Sequence, residues 1–446
     1  MRFFAAAAFA ALALVAAGCG ASVSSVASGA ASGTGAANLV PADADAFAAV
    51  NTDLGSDQWQ RVDALTKDFP AHAKLLDQIT SELQKHGLTW KDDVEPALGP
   101  EADVALLGKD DVVFTKPDDK DKLRTLAEKL STSDEHYTVE EIGGWSVVAD
   151  AQDVFARVRA AENGQSLADA DTFSAAWAQL GADALVRAYA TGNAAASMPR
   201  IVKPGDKVQW LTARVWADGD ALRAELTAKP SGALPATTTQ PLLRDVPSGA
   251  ALAVAFHGSA DLAQKLSAAA PKAAGGGFPL VGDLATLANS DGVLYARSAG
   301  LLPEVALELS PKNPQKALTT ARGALGKLGG SLGPVPLTAQ LSNGKVVVSD
   351  GPSAVAALRS GPKLTGDAAY KDAVKSAGVP ARTSFLVYAD VTQLAPFVQV
   401  LAGALGGTTG QPDPALGENL THLGTVVAWA TTGGGLVRLG AWLQPR

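Results

Sequence analysis

Gly144-Trp145-Ser146-Val147-Val148-Ala149-Asp150 and Gly344-Lys345-Val346-Val347-Val348-Ser349-Asp350 are two versions of one phrase, about 200 residues apart. Each begins at a tight-turn pair, Gly143-Gly144 in the first and Asn343-Gly344 in the second. Such pairs accept the positive φ that two-residue hairpin turns require, so each phrase reads as the second strand of a hairpin. Each then leads into an Ala/Val/Leu-rich stretch that ends near an arginine, Arg157 or Arg359. A strand that returns with the same flanks at a long, fixed spacing implies that the unit around it also returns.

Working outward, the other elements fall into the same order. Val40-Pro41 leads into the strand-like Ala46–Val50, and Val246-Pro247 into Ala251–Phe256. Phe114-Thr115-Lys116-Pro117-Asp118 opens a helical stretch through Leu130, and Leu309-Ser310-Pro311-Lys312-Asn313 opens one through Leu328. Leu167–Leu180 parallels Leu364–Ala377 as a short helix, and Ala184–Ala190 parallels Phe385–Ala389 as a strand. Both series close on a hairpin: Val208–Ala217 turns at Asp218-Gly219, and Gly424–Thr432 turns at Gly433-Gly434. Strands joined by tight turns and interleaved with helices predict an α+β fold of two similar tandem halves, each a mainly antiparallel sheet with interleaved helices. The first half is expected over residues 39–230 and the second over 244–446. The Pro-, Thr-, Gly- and Ala-rich stretch Pro230–Leu243 serves as the boundary.

The chain begins differently. Arg2 precedes an uncharged run from Phe3 to Gly18, whose apolar part ends at Ala17. That part is shorter than the roughly 17–25 residues of a permanent membrane span, and its flanks are those of a signal peptide over residues 1–18. Ala16-Ala17-Gly18-Cys19 resembles the lipobox of bacterial lipoproteins, with Ala16 where that family most often has Leu. The resemblance implies cleavage before Cys19 and a diacylglycerol on its thiol, with palmitate-type acyl chains. It places the protein on the extracytoplasmic side of a bacterial cell membrane, with the membrane itself as a partner through the N-terminal lipid. Two acyl chains hold firmly where one does not. Residues 19–38 continue as lipidated cysteine and tether, since Gly20–Asn38 is uncharged and built almost wholly of Gly, Ala, Ser, Thr and Val.

Composition mainly excludes. Cys19 is the single cysteine among 446 residues, which rules out a disulfide framework and a cysteine zinc cluster. A net charge of −8 speaks against a nucleic-acid partner. Residues 39–236 carry 20 Lys+Arg against 33 Asp+Glu, a balance of −13, whereas residues 237–446 carry 16 against 12, a balance of +4. The simpler reading is drift between duplicated halves that dock by complementary charge; the other is a basic half facing anionic lipid.

No catalytic constellation stands out. The five histidines (His72, His86, His136, His257, His422) are scattered without zinc-site spacing. His72 and His86 lie on a polar helical stretch and are expected to be solvated, while His257 and His422 flank strands as rim residues. Gly329-Gly330-Ser331-Leu332-Gly333 spells a nucleophile elbow, but a helix precedes it and prolines follow, the reverse of the required strand–turn–helix. Ser360-Gly361-Pro362-Lys363 is broken by proline, and Gly275-Gly276-Gly277 lacks the Lys-Ser/Thr of a phosphate loop. Of the acidic clusters, Asp110-Asp111 reads as a turn before a strand and Asp118-Asp119-x-Asp121 as a helix first turn; Asp92-Asp93-x-Glu95, like these, lacks calcium-loop spacing. Trp145, Trp216 and Trp429 lie in apolar strands and are expected in the core. No cofactor, metal or catalytic residue is therefore assigned; Cys19 is the one site residue.

Leu39–Lys229 also resembles a family of bacterial envelope proteins defined only as a domain of unknown function, number three-three-five-two. The likeness rests on Val40-Pro41-x-Asp43, Val50-Asn51-x-Asp53, Trp59 and Phe69-Pro70. It continues through Trp90-x-Asp92-Asp93-Val94-x-Pro96-x-Leu98-Gly99-Pro100-Glu101. It implies a secreted or lipid-anchored protein and carries no site residues. The expectation is a non-catalytic, lipid-anchored binding or scaffolding protein, with an envelope protein, wall polymer or lipid as partner. A carrier of a lipid or glycolipid is the alternative, and a hydrolase of envelope substrates a third reading.

Overall fold

The computed structural model describes residues 35–133, 135–196, 208–232, 234, 236–259, 287, 289–298, 303–328, 337–394 and 414–446. Cys19, residues 20–34 of the tether, Gly275–Gly277 and Gly329–Gly333 lie outside the described residues. Contacts separate two compact units that divide between Ala233 and Leu234.

The first unit runs β1 (Ala46–Asn51), α1 (Asp57–Thr66), α2 (Pro70–Lys85), β2 (Glu101–Leu107), β3 (Asp110–Thr115) and α3 (Lys120–Leu130). It continues with β4 (Thr138–Ile142), β5 (Trp145–Ala149), α4 (Gln152–Glu162), α5 (Asp171–Trp177), β6 (Val186–Thr191), β7 (Val208–Asp218) and β8 (Ala221–Pro230). The second runs β9 (Ala250–Phe256), β10 (Asp291–Ser298), β11 (Pro303–Ser310), α6 (Pro314–Leu328), β12 (Thr338–Ser342) and β13 (Lys345–Ser349). It ends with α7 (Pro352–Arg359), α8 (Ala368–Ser376), β14 (Phe385–Asp390), β15 (Leu423–Gly433) and β16 (Leu436–Pro445). The fold is α+β. Strand order is β4-β5-β3-β2-β1-β6-β7-β8 in the first unit and β12-β13-β11-β10-β9-β14-β15-β16 in the second, the same order position for position. The strand pairs are antiparallel in both units.

Turn chemistry sets the registers. Gly143 and Gly144 have φ of 57° and 79°, and Asn343 and Gly344 of 51° and 75°, as the tight β4–β5 and β12–β13 turns demand. The longer hairpins turn one residue later than their sequences imply. Asp218 still pairs with Ala221, which leaves Gly219-Asp220 as the turn, and β15 keeps Gly433, which leaves Gly434-Gly435. Asp110 and Asp111 belong to β3 itself rather than to a turn before it, because they pair with Leu107 and Leu106.

Both Val-Pro pairs have the same structural use. Val40 accepts a hydrogen bond from Leu167 N–H at 2.7 Å, and Val246 one from Leu364 N–H at 2.9 Å. Pro41 and Pro247 bridge to Ser166 and Lys363, so each lead-in is held against the short 3-10 turn that precedes α5 or α8. Proline holds the lead-in extended without wasting an N–H donor.

In the first unit, Phe47, Phe173, Trp177 and Tyr189 pack where α5 covers β1 and β6; Phe173 meets Tyr189 edge-on at 5.1 Å. In the second, Tyr370 of α8 meets Tyr388 of β14 edge-on at 5.2 Å. A separate cluster in the first unit joins Leu83 of α2 and Leu123 and Leu126 of α3 to Val113 and Val148. In the second, α6 packs Leu318 and Ala321 on Leu309 and Val346. Helices therefore cover both faces, and burying such side chains stabilises each unit at about 25 cal/mol per Å².

Two sequence expectations about cores are corrected. His72, expected in solvent, is only 5% exposed, because the face of α2 that carries it turns inward. Trp145 is buried, but Trp216 and Trp429 are half-buried: they sit on long hairpin strands, and Arg214 lies over the Trp216 ring at 3.7 Å.

Candidate functional site

An open cleft of about 540 Å³ lies in the second unit. One wall is a face of α7, on which Ser353, Ala356 and Ala357 lie at helical spacing, continued by Ser360 just past the helix end. Opposite lie Pro247 and Ser248 of the lead-in, with Gly361 and Pro362 at one end. Arg297 is the single charged residue of the lining.

Arg297 is held by its cross-strand neighbour. Glu304 stands directly opposite it in the β10–β11 register and is 3% exposed. Its carboxylate accepts from Arg297 Nε at 2.7 Å and Nη2 at 3.1 Å, a side-on pair that fixes the guanidinium plane. The Tyr295 hydroxyl lies 2.9 Å from Glu304 Oε1, and burial together with this carboxylate raises its pKa. The other cations near the cleft are also engaged. Lys363 Nζ donates to the carbonyls of Ala357 at 2.9 Å and Asp245 at 3.2 Å, and burial lowers its pKa. Arg359 Nη1 donates to Glu308, which has no exposed surface, at 2.7 Å. Asp367 accepts from the Ser248 hydroxyl at 2.5 Å and from Gly249 N–H at 2.9 Å, which fixes the rim.

The first unit holds a buried polar group of another kind. Asp103, with no exposed surface, accepts from Ala36 N–H at 2.6 Å and so caps the 3-10 turn Gly35–Asn38. Gly35 has φ of 56°, and a Cβ there would collide with the Asp103 carboxylate, so glycine is required on both counts. Ala36, Ala37, Leu39 and Val40 are buried, which seats the end of the tether inside the unit. Burial pushes the Asp103 pKa well up, with the Glu101 charge adding to it; burial also raises Glu101 and lowers Arg187. Asp103 and Arg187 both pair with Ala49, so they share one face of the sheet, and Arg187 lies over Trp177 at 4.9 Å.

Other residues singled out by sequence are dispersed. His257 Nδ1 lies 2.6 Å from Asp291 Oδ1 at a strand end, and His86 Nδ1 lies 3.2 Å from the Lys129 carbonyl. Asp119 caps α3 through Asp121 and Lys122 N–H. The Ser360 hydroxyl donates to the Ala356 carbonyl rather than meeting the Lys363 side chain. Among the described residues, no group of three or more His, Cys, Asp or Glu side chains could hold a metal ion. Nor is any helix there long and apolar enough to cross a membrane. The cleft and the Asp103 seat went unread in the sequence, because their members are separated by many tens of residues and carry no motif.

No family model and no curated protein matches the chain. Among solved structures, crystal forms III and I of TP0453 are similar at 9% and 10% identity. Each covers 44% of this chain and about four-fifths of its own, with a TM-score of 0.26. Crystal form IV gives a TM-score of 0.25 at 9% identity, over 43% of this chain and 79% of its own. Likeness at this level assigns neither fold nor function.

Proposed function

We propose that this chain is a lipid-anchored protein of the bacterial envelope, and that its body, two copies of one duplicated unit, serves in binding or scaffolding rather than catalysis. The observation that carries the reading is how the chain after Cys19 meets the body. The uncharged tether ends in a stretch, Gly35–Val40, in which Ala36, Ala37, Leu39 and Val40 are buried and Asp103 caps the Ala36 N–H. A tether that ends in a built seat is what an anchor needs in order to hold a folded body at a fixed attachment point. The polar clusters support the non-catalytic part. Glu304 and Glu308 hold cations in place, and the Ser248 and Ser360 hydroxyls bond to Asp367 and to backbone.

The test is Cys19→Ala, followed by membrane fractionation and metabolic labelling with an alkyne-bearing palmitate. The variant should leave the membrane fraction and lose the label. A variant that stays membrane-bound, or a parent chain that takes up no label, would overturn the anchor.

A further inference from the structure

The two units follow one strand order, so each position of the cleft has a counterpart in the first unit. Phe47 pairs with Tyr189 and Ala253 with Tyr388, and those two tyrosines make the same edge-on contact with Phe173 and Tyr370. That register matches Leu106 to Ala296 and breaks at a bulge just beyond. The unbroken β2–β3 and β10–β11 pairs, Leu107 with Asp110 and Arg297 with Glu304, set Leu107 against Arg297, and the Val-Pro lead-ins set Asp43 against Gly249. The hairpins that feed α4 and α7 set Arg157 against Ala357 and Arg159 against Arg359. The arginine matched to Arg359 is thus Arg159, not Arg157.

In the first unit this place is bridged. The Arg157 guanidinium reaches the Asp43 carboxylate at 3.2 and 3.3 Å and the Leu107 carbonyl at 3.4 Å. In the second unit both side-chain partners of this bridge are missing, and the residue that lent its backbone carbonyl is different. Alanine replaces the arginine, glycine replaces the aspartate, and an arginine held by buried Glu304 stands where Leu107 stood. The bridge is gone, the cleft is open, and its cation comes from the opposite wall with no carboxylate facing it in the lining.

We propose that the Arg297 cleft binds a phosphate-bearing ligand whose anionic oxygens take the place that Asp43 fills in the first unit. Glu304 occupies Nε and Nη2 and, among the described residues, leaves Nη1 as the free edge of the guanidinium, while Ser353 lines the same space; the Ser248 and Ser360 hydroxyls donate to Asp367 and to the Ala356 carbonyl. A guanidinium held in plane by a buried carboxylate, with one edge turned to an open cleft, suits an oxyanion. The volume admits a small molecule or one lipid headgroup. This deepens the binding role proposed above by naming a ligand class, and it does not require the anchor, so the Cys19→Ala chain should bind equally.

Full-length protein in neutral detergent is titrated calorimetrically with glycerol 3-phosphate, and separately with mixed micelles containing phosphatidylglycerol or phosphatidylcholine. Ala357→Glu, its folding confirmed by circular dichroism, places a carboxylate in the cleft from a half-buried helix face. It should weaken binding by roughly tenfold or more. Arg297→Met should do the same, with circular dichroism to confirm folding because Glu304 loses its partner. Saturable binding of the free ester, lost in Ala357→Glu, supports a soluble phosphate ligand. Binding of phosphatidylglycerol micelles alone, lost in the same variant, supports a lipid headgroup. Binding in neither arm, or binding unchanged in Ala357→Glu, overturns the proposal.

Discussion

Asp103 makes its own protonation part of the stability of the first unit. Glu101, Arg187 and Lys116 are the charged groups that act on the Glu101–Asp103 pair, and burial outweighs the two cations. The folded-state pKa of Asp103 is therefore raised above its unfolded value. Well below the ordinary carboxylate range both states hold the proton and no stability is lost. As pH rises past about 4 the unfolded chain ionises first, and stability falls until Asp103 itself ionises. Asp103→Asn keeps an acceptor for Ala36 N–H and should flatten this decline in denaturant titrations between pH 4 and 8; an unchanged slope would count against the account. Asp103→Ala leaves a buried N–H unpaired and should cost about 1–3 kcal/mol. None of this was legible in the strand sequence, where nothing in Glu101-Ala102-Asp103 marks a buried carboxylate. What buries Asp103 is a stretch of chain near residue 35, far from it in sequence and without side chains large enough to announce a core.

At the scale of elements, the hairpins were the most legible feature, because a two-residue turn admits few residue types. Gly344, at φ of 75°, is one of them. Gly344→Ala puts a Cβ into the left-handed region and should cost about 1–2 kcal/mol, read as a lowered denaturation midpoint. The neighbouring Lys345→Gln should cost more if its pairing with Asp245 and buried Glu308 outweighs the turn, so measuring both variants ranks local geometry against the charge network. The turns at Gly219-Asp220 and Gly434-Gly435 came out one residue late for the opposite reason. Several small or turn-favouring residues adjoin there, and pairing of the long strands, not turn chemistry, decides where the strand ends. His72 shows the same limit: a helix with polar residues on most faces does not declare which one the sheet will cover.

Across the whole chain, the α+β class and the alternation of strands and helices followed from periodicity and turns, and the division between Ala233 and Leu234 lies inside the stretch rich in Pro, Thr, Gly and Ala. The cleft could not be read in this way. It is lined by small residues such as Ala357 and Ser248 and by one arginine at 297, and its difference from the first unit becomes visible only when the strand order shows what that unit carries at the same places. A site created by subtraction leaves no motif.

The buried seat of Gly35–Val40 also has a mechanical meaning. A chain drawn outward by its N-terminus loads the Ala36–Asp103 and Val40–Leu167 hydrogen bonds before any strand pair of the first unit. Those bonds form a fuse between tether and body, set to part before the sheet unravels. In single-molecule pulling from residue 19, Asp103→Ala should lower the force of the first rupture and leave the later unfolding steps unchanged. A first rupture insensitive to that substitution would place the fuse elsewhere.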